Sequence, residues 1–313
     1  MSGATPRLIL VDSVVVDVVL QVDGLPARGS DAYVDDSASF AGGGFNVMAA
    51  ASRLGLPAVY AGVVGLGPFA TIAQEAMRSE DIVVAIPPID GVDTGFVVAI
   101  VEPDGERTFL TSNGAESTLT STQLDGVSIN ASDLVYISGY GLLHESNGPA
   151  IINLLRRLPH DAVLLFDPSP LADDIPAVLL DAVFERVDWL SCNAREASQL
   201  CGVDDPVEAA SLLLDRLRRG GVIVRLGARG CIVVTRDNEV MLAEGFSVEV
   251  LDSNGAGDCH VGAFAAFLMK GREPLSAAQW ANGAAAMSVT KRGPATGPTL
   301  GELEQFVEAQ IHS

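Results

Sequence analysis

The sequence predicts an α/β protein in three layers: a central, mostly parallel sheet sandwiched between helices, with a small β-sheet lid beside it. Three observations carry this expectation. From about residue 120, short β-branched runs alternate with helical segments, the rhythm of parallel strands joined by helical crossovers. Two earlier stretches mix polar and apolar residues and suit a half-exposed sheet. The 313 residues are 48% hydrophobic and 19% charged, enough apolar material for about two domains or one large one, and unlike a disordered or fibrous chain.

Residues 8–11 (LILV) read as a short buried strand. A Val-rich stretch over 14–22 follows, interrupted by Asp17. LPARGS at 25–30 is a turn, and 31–40 suit a half-exposed strand. AGGGFNVMAAASRLG opens a small-residue helix that ends near Gly55. Residues 58–64 make a strand, 68–79 a helix, and 96–110 a hairpin around a PDG turn. Strands at 134–138, 162–166, 189–192, 221–227 and 231–235 are mostly separated by helices at 146–157, 175–184, 194–200 and 206–219. A strand runs into Asp252. Helices at 256–270, 274–290 and 300–311 complete the chain. This places a main domain at 1–12, 42–91 and 112–313, and the lid at 13–41 and 92–111.

Charge narrows the function. Lys plus Arg number 19 against 40 Asp plus Glu, a formal net charge of −21. Such a surface repels nucleic acid and anionic membranes. A local phosphate site remains open, because helix termini and loop amides need no net positive charge. The four cysteines form no CxxC pair, and the four histidines form no HxxxH or HExxH pattern, which argues against structural zinc or a disulfide framework. Reduced, mostly buried thiols of a cytoplasmic protein are the expectation. The opening MSGATPRLILVDS is too short in its apolar run for a signal peptide, and no apolar segment approaches a membrane span.

The most informative segment is VEVLDSNGAGDCHVGAFAAFLMKG at 248–271. Asn254, Gly255, Ala256 and Gly257 make a tight turn, and Asp258 sits in the first turn of a long apolar helix. Glycine lets backbone N–H groups approach a ligand, and the free amides with the helix dipole make an anion hole. A carboxylate there is a poor structural neighbour for phosphate but a sensible proton acceptor from an attacking hydroxyl. By pattern alone, a simple N-cap with flexible glycines explains the same residues.

DSNGAGD resembles the second signature of the ribokinase-like, or PfkB-type, carbohydrate kinases, usually DTxGAGD. GGGFN at 42–46 resembles the first signature. In chain order, DSVVVD (12–17), NARE (193–196), RLGARG (225–230) and NGAAAMSVTKRG (282–293) resemble further marks of the family, so the likeness covers nearly the whole chain. It implies the ribokinase-like three-layer α/β/α sandwich with a lid, and ATP-dependent phosphorylation of a hydroxyl, usually a primary one on a sugar or nucleoside.

Carried over by position, the resemblance makes Asp258 the general base and Gly255, Ala256 and Gly257 the anion hole. Asn193 and Glu196 resemble the pair that organises Mg²⁺ near the phosphates, although their spacing also fits a capping box. Asp252 resembles the carboxylate at a K⁺ site, with carbonyls at Asn254, Ser288, Lys291 and Gly293. The other reading, that Asp252 only fixes the turn, stays open. Asp17, Gly43 and Asn46 resemble the sugar contacts, while a surface Asp and an N-cap are the bland alternatives. Gly227 and Gly230 resemble the nucleotide wall, with Arg225 and Asn282 assigned beside it. A β-turn explains the glycines in part. A homodimer through the lid is a further implication.

The chain departs from the family pattern at several places. Val15 replaces a common Asn, Leu66 and Gly67 alter the loop after the 58–64 strand, and Arg225 replaces Thr. His260 stands where Phe is common and is expected to pack rather than to do acid–base work. These changes bear on substrate choice, not on reaction class. Tyr33, Phe40, Phe96 and Phe109 on the lid keep a nucleoside acceptor open beside a sugar. A dehydrogenase would need GxGxxG after the first strand, which is absent. A non-catalytic sugar-binding protein would lack Asp258.

Overall fold

A computed structural model describes residues 5–104 and 106–311. Gly105 of the PDG turn and His312 lie outside the described residues. The first half contains β1 (Leu8–Leu10), β2 (Val14–Gln21), β3 (Asp36–Gly43), α1 (Gly44–Arg53), β4 (Ala58–Tyr60), α2 (Pro68–Ser79), β5 (Val83–Val84), β6 (Phe96–Val101), β7 (Arg107–Ser112) and α3 (Ser121–Asp125). Alternation then sets in with β8 (Leu134–Ser138), α4 (Gly139–Leu143), α5 (Asn147–Leu155), β9 (Val163–Asp167), α6 (Ala177–Phe184), β10 (Trp189–Asn193), α7 (Ala194–Cys201), α8 (Pro206–Arg216) and β11 (Gly221–Arg225). Then come β12 (Gly230–Thr235), β13 (Asn238–Glu244), α9 (Ala256–Met269), α10 (Pro274–Ser288) and α11 (Leu300–Ile311).

The main sheet has nine strands in the order β13-β12-β11-β10-β9-β8-β1-β4-β5. Only β12 runs against the others, pairing antiparallel with β11 and β13. Residues 226–229 separate it from β11, too few for the crossover that a parallel partner requires. The central strands are continuous apolar runs because both faces are covered. Leu8 and Leu10 enter one core, and Ile9 and Val11 the other. Leu134 and Tyr136 of β8 likewise oppose Val135 and Ile137. One core takes in α1, α9 and α10, with Phe264 packed against Trp189 at 5.1 Å between ring centroids. The other takes in α5 and α8 through residues such as Ile151, Leu154 and Leu213. The expected three-layer α/β/α sandwich is the observed fold.

The second sheet has four strands in the order β3-β2-β6-β7. β2 pairs antiparallel with β3 and parallel with β6, and β6 and β7 form the expected hairpin. Phe69 of α2 stacks on Phe96 of β6 with centroids 4.6 Å apart, which fixes the sheet to the main body. At the two later crossings the Glu116 carboxylate accepts from the amides of Gly95 (2.7 Å) and Gly114 (2.8 Å).

Several expectations need correction. The strand at 58–64 ends at Tyr60, and β5 and β13 were not anticipated. No strand runs into Asp252: residues 245–250 pair with no strand among the described residues. The alternating Val248 and Val250 imitate a strand, but both line a cleft, and Val250 is 61% exposed.

Candidate functional site

A cavity of about 1430 Å³ runs along the carboxyl ends of the parallel strands and under the small sheet. Ligands of open α/β sheets bind at such ends. The volume exceeds the roughly 300–1,000 Å³ usual for one small ligand, so two can lie end to end. Every site residue expected from the sequence lines this cavity except Ser288 and Lys291, which lie outside its lining.

Its floor is the start of α9. Gly255 is the N-cap with φ 72°, and a Cβ there would lie 2.0 Å from the Pro294 carbonyl oxygen. Only glycine fits that close approach in a left-handed conformation. Among the described residues no protein oxygen accepts from the amides of Gly257 and Asp258, which leaves them open at a helix N-terminus. The Asp258 side chain stands beside them, and one carboxylate oxygen accepts from Asn46 Nδ2 at 2.9 Å. Burial raises its pKa to about 6, Asn46 and Arg225 acting against the shift and Asp167 and Asp17 with it.

Asn46 reaches this point from the first turn of α1, on which the glycine stretch ends. Its Oδ1 and the nearby Ser13 Oγ are buried without a partner among the described residues, and both residues line the cavity. Asp17 projects from β2 into the same space. A Cβ on Gly42 would come within 2.3 Å of Asp17 Oδ2, so Gly42 leaves the room this carboxylate occupies. Burial raises Asp17 to about 6, and no protein donor among the described residues meets it. Gly43 lines the wall between them.

The other end is held by a buried charge network. Arg225 at the end of β11 donates through Nη1 to Asp167 (2.9 Å) and Ser191 Oγ (2.6 Å), and through Nη2 to Glu196 (3.4 Å). Burial disfavours its charge, but Asp167 and Glu196 outweigh this and hold its pKa above the ordinary range. Arg225 is therefore committed within the protein, although it borders the Gly255–Gly257 turn. Asn193 and Glu196 form the capping box: the Asn193 amide donates to Glu196 Oε2 (2.8 Å), and the Glu196 amide to Asn193 Oδ1 (2.9 Å). Glu196 Oε1 has no protein donor among the described residues, a hard oxygen at the cavity wall of the kind Mg²⁺ takes. Burial, then Asp167, raise the Glu196 pKa against Arg225.

Gly227 and Gly230 bracket the turn between β11 and β12, beside apolar Phe246, Ala286 and Val289. Asn282 is turned to the protein: its Nδ2 donates to the carbonyls of Ala243 (2.9 Å) and Glu244 (3.1 Å). Its Oδ1 lies 3.1 Å from His260 Nε2, which makes that nitrogen the donor. Burial, then Arg225, lower His260 to about 3, so the ring is neutral and no acid at ordinary pH. Asp252 accepts from the amides of Asn254 (3.0 Å) and Gly293 (3.1 Å), which ties the turn to the loop at 293. Ser288 ends α10, and Lys291 follows it in the loop behind the turn.

Sequence reasoning missed Asp12, Asp167 and Arg107. Asp12 is 5% exposed, accepts from the Ser13 amide at 2.7 Å, and is raised to about 7, mainly by burial. An acidic residue closing an apolar strand, as in LILVD and VLLFD, was the available signal for the first two. Of the four aromatics expected on the lid, Phe40 and Phe109 line the cavity, Phe96 packs on Phe69, and Tyr33 lies in the loop before β3, outside the lining.

The model of the pfkB family carbohydrate kinases matches residues 5–300. The chain is 30% identical over 300 residues to an uncharacterized sugar kinase, YegV, of Escherichia coli K12, covering 95% of this chain and 92% of that one. It is 26% identical to a ribokinase of Haemophilus influenzae, over 86% and 88% of the two chains. Among solved structures, ribokinase from Giardia lamblia superposes with a TM-score of 0.84 at 22% identity, covering 98% of this chain and 100% of that one. Adenosine kinase from Sinorhizobium meliloti superposes with 0.83 at 21%, covering 99% and 100%, so the fold does not separate sugar from nucleoside acceptors. With its fold, its glycine turn at the start of α9 and a family match over nearly its whole length, the chain belongs to the PfkB family of carbohydrate kinases.

Proposed function

We propose that this kinase transfers the γ-phosphoryl group of ATP to a primary hydroxyl of a monosaccharide. The observation that carries the reading is the Asp258 carboxylate beside the open amides of Gly257 and Asp258, on the floor of a cavity with a hydroxyl-suited end and an apolar end. Asp258 takes the proton of the attacking hydroxyl. The turn amides and the α9 dipole stabilise charge developing on the transferring group. Asp17, Ser13 Oγ and Asn46 Oδ1 supply unpaired polar atoms for a polyol. The glycine-bordered slot near Phe246 and Val289 receives the base of the nucleotide. Mg²⁺, when bound with ATP, neutralises phosphate charge, and Glu196 with Asn193 would hold it through water.

A nucleoside acceptor is the second reading. It is favoured by Phe40 and Phe109, 40% and 58% exposed, which offer ring faces from the small sheet. Closure of that sheet over the acceptor, and pairing of two copies through it, belong to the same proposal. ADP release measured against pentoses, hexoses, ketoses and nucleosides tests it. Fastest turnover with a monosaccharide is expected. Preference for a nucleoside selects the second reading, and no acceptor-dependent ADP release with any of them overturns both.

A further inference from the structure

Arg107 begins β7 of the small sheet, yet its partner lies 145 residues further on. Its Nη2 donates to Asp252 Oδ1 at 3.0 Å, with the two side chains 35% and 18% exposed. Asp252 holds the anion turn from behind: it accepts from Asn254 in the turn and from Gly293 in the loop whose Pro294 carbonyl covers Gly255. The family resemblance places a K⁺ ion at this carboxylate, caged by carbonyls at 254, 288, 291 and 293.

The donor set here does not suit a free ion. Asp252 already receives two amides and a guanidinium. The Ser288 carbonyl accepts from Thr296 Oγ1 (2.9 Å) and from the Lys291 amide (3.2 Å), and the Gly293 carbonyl lies 3.4 Å from the same hydroxyl. An ion at Asp252 would have to displace the guanidinium, whose positive charge is already in contact.

We infer that Arg107 is a positioning residue that takes the place of the monovalent cation, neutralising Asp252 behind the anion turn from a strand of the small sheet. The inference rests on the kinase reading. A bare carboxylate behind the turn would oppose the negative charge arriving in front of it, and the guanidinium removes that opposition. Because the charge rides on the small sheet, the position of that sheet and the readiness of the turn are tied together. The same contact explains why Asp252 titrates low: partial burial opposes its charge, but the two amides and Arg107 outweigh it.

The test compares the full chain with Arg107→Met and Arg107→Lys in K⁺ and in tetramethylammonium, by kinetics and by melting. The wild type should turn over and melt alike in both media. Arg107→Met should lose about 10-fold to 100-fold in kcat in tetramethylammonium, with KM for ATP little changed. K⁺ should restore much of that loss and raise the melting temperature of this variant alone, and Arg107→Lys should behave nearly as wild type. K⁺ activation or K⁺ stabilisation of the wild type overturns the inference, as does an Arg107→Met variant with unchanged kcat or with a loss that K⁺ does not repair. Should no acceptor be phosphorylated in either medium, the kinase reading fails by itself, and the melting comparison still decides the role of Arg107.

Discussion

The two ends of the cavity are built differently. At the end around Gly255 and Arg225 the side chains are held by one another: Gly255 lies under the Pro294 carbonyl, Arg225 is gripped by Asp167, Ser191 and Glu196, and Asp258 is steadied by Asn46. At the end around Asp17, proposed to take the acceptor, the polar atoms wait. Asp17 meets no protein donor among the described residues, Ser13 Oγ and Asn46 Oδ1 are unpaired, and Phe40 and Phe109 stand open. Preorganised charge serves a reaction that is the same for every acceptor, whereas unsatisfied groups are completed by the one acceptor that fits.

The sharpest way to break this contrast is Asp258→Asn, which keeps the Asn46 contact in reach but removes the base. Turnover should fall about 10³-fold with the fold and acceptor binding intact, checked by kinetics and calorimetry. A near-normal rate would remove Asp258 from its role. In the wild type the carboxylate is the active form and its pKa is about 6, so kcat/KM should fall on the acid side of that value and hold above it.

A smaller effect is expected at the waiting end. Asp17→Asn should raise the acceptor KM by about 10-fold to 100-fold, the worth of a charged hydrogen bond, with KM for ATP unchanged. Gly42→Ala should act in the same direction, because its Cβ would enter the space of Asp17 Oδ2. An equal rise in both KM values would show that the two ends are not independent.

The smallest effect concerns stability. Asp12 holds its proton up to about pH 7 when folded, well above the ordinary carboxylate range, mainly because it is buried. Its contribution is therefore full below the unfolded value and lost as pH rises through about 7. Asp12→Asn should raise the melting temperature by a few degrees more at pH 8 than at pH 5, because the loss begins above the unfolded value and is complete only above about 7. No difference between the two pH values would refute the cost assigned to this buried charge.

The end around Gly255 and Glu196 was legible in the sequence because its parts are local. Gly255, Gly257 and Asp258 sit within one turn, and Asn193 and Glu196 within another. Residues recruited by tertiary contact were not. Arg107 lies in RTFLTS, which reads as a strand and nothing more, and its partner belongs to another sheet's loop. Asp167 gave a signal, a carboxylate ending an apolar strand, but its partner Arg225 lies 58 residues away. The 248–252 segment misled because a chain wrapping a cleft can alternate its side chains as a strand does. In the fold, β12 escaped the parallel expectation because only the brevity of its connection reveals its direction.

The hollow that Gly42 leaves for Asp17 has a thermochemical consequence. Near pH 6 that carboxyl is partly protonated, and hydroxyl donors from an arriving acceptor favour its charged form. Complex formation should then expel protons into the medium. The observed heat would differ between buffers of unlike ionisation enthalpy near pH 6 and agree between them at pH 8, so the glycine shapes not only the room for a side chain but the proton traffic of binding.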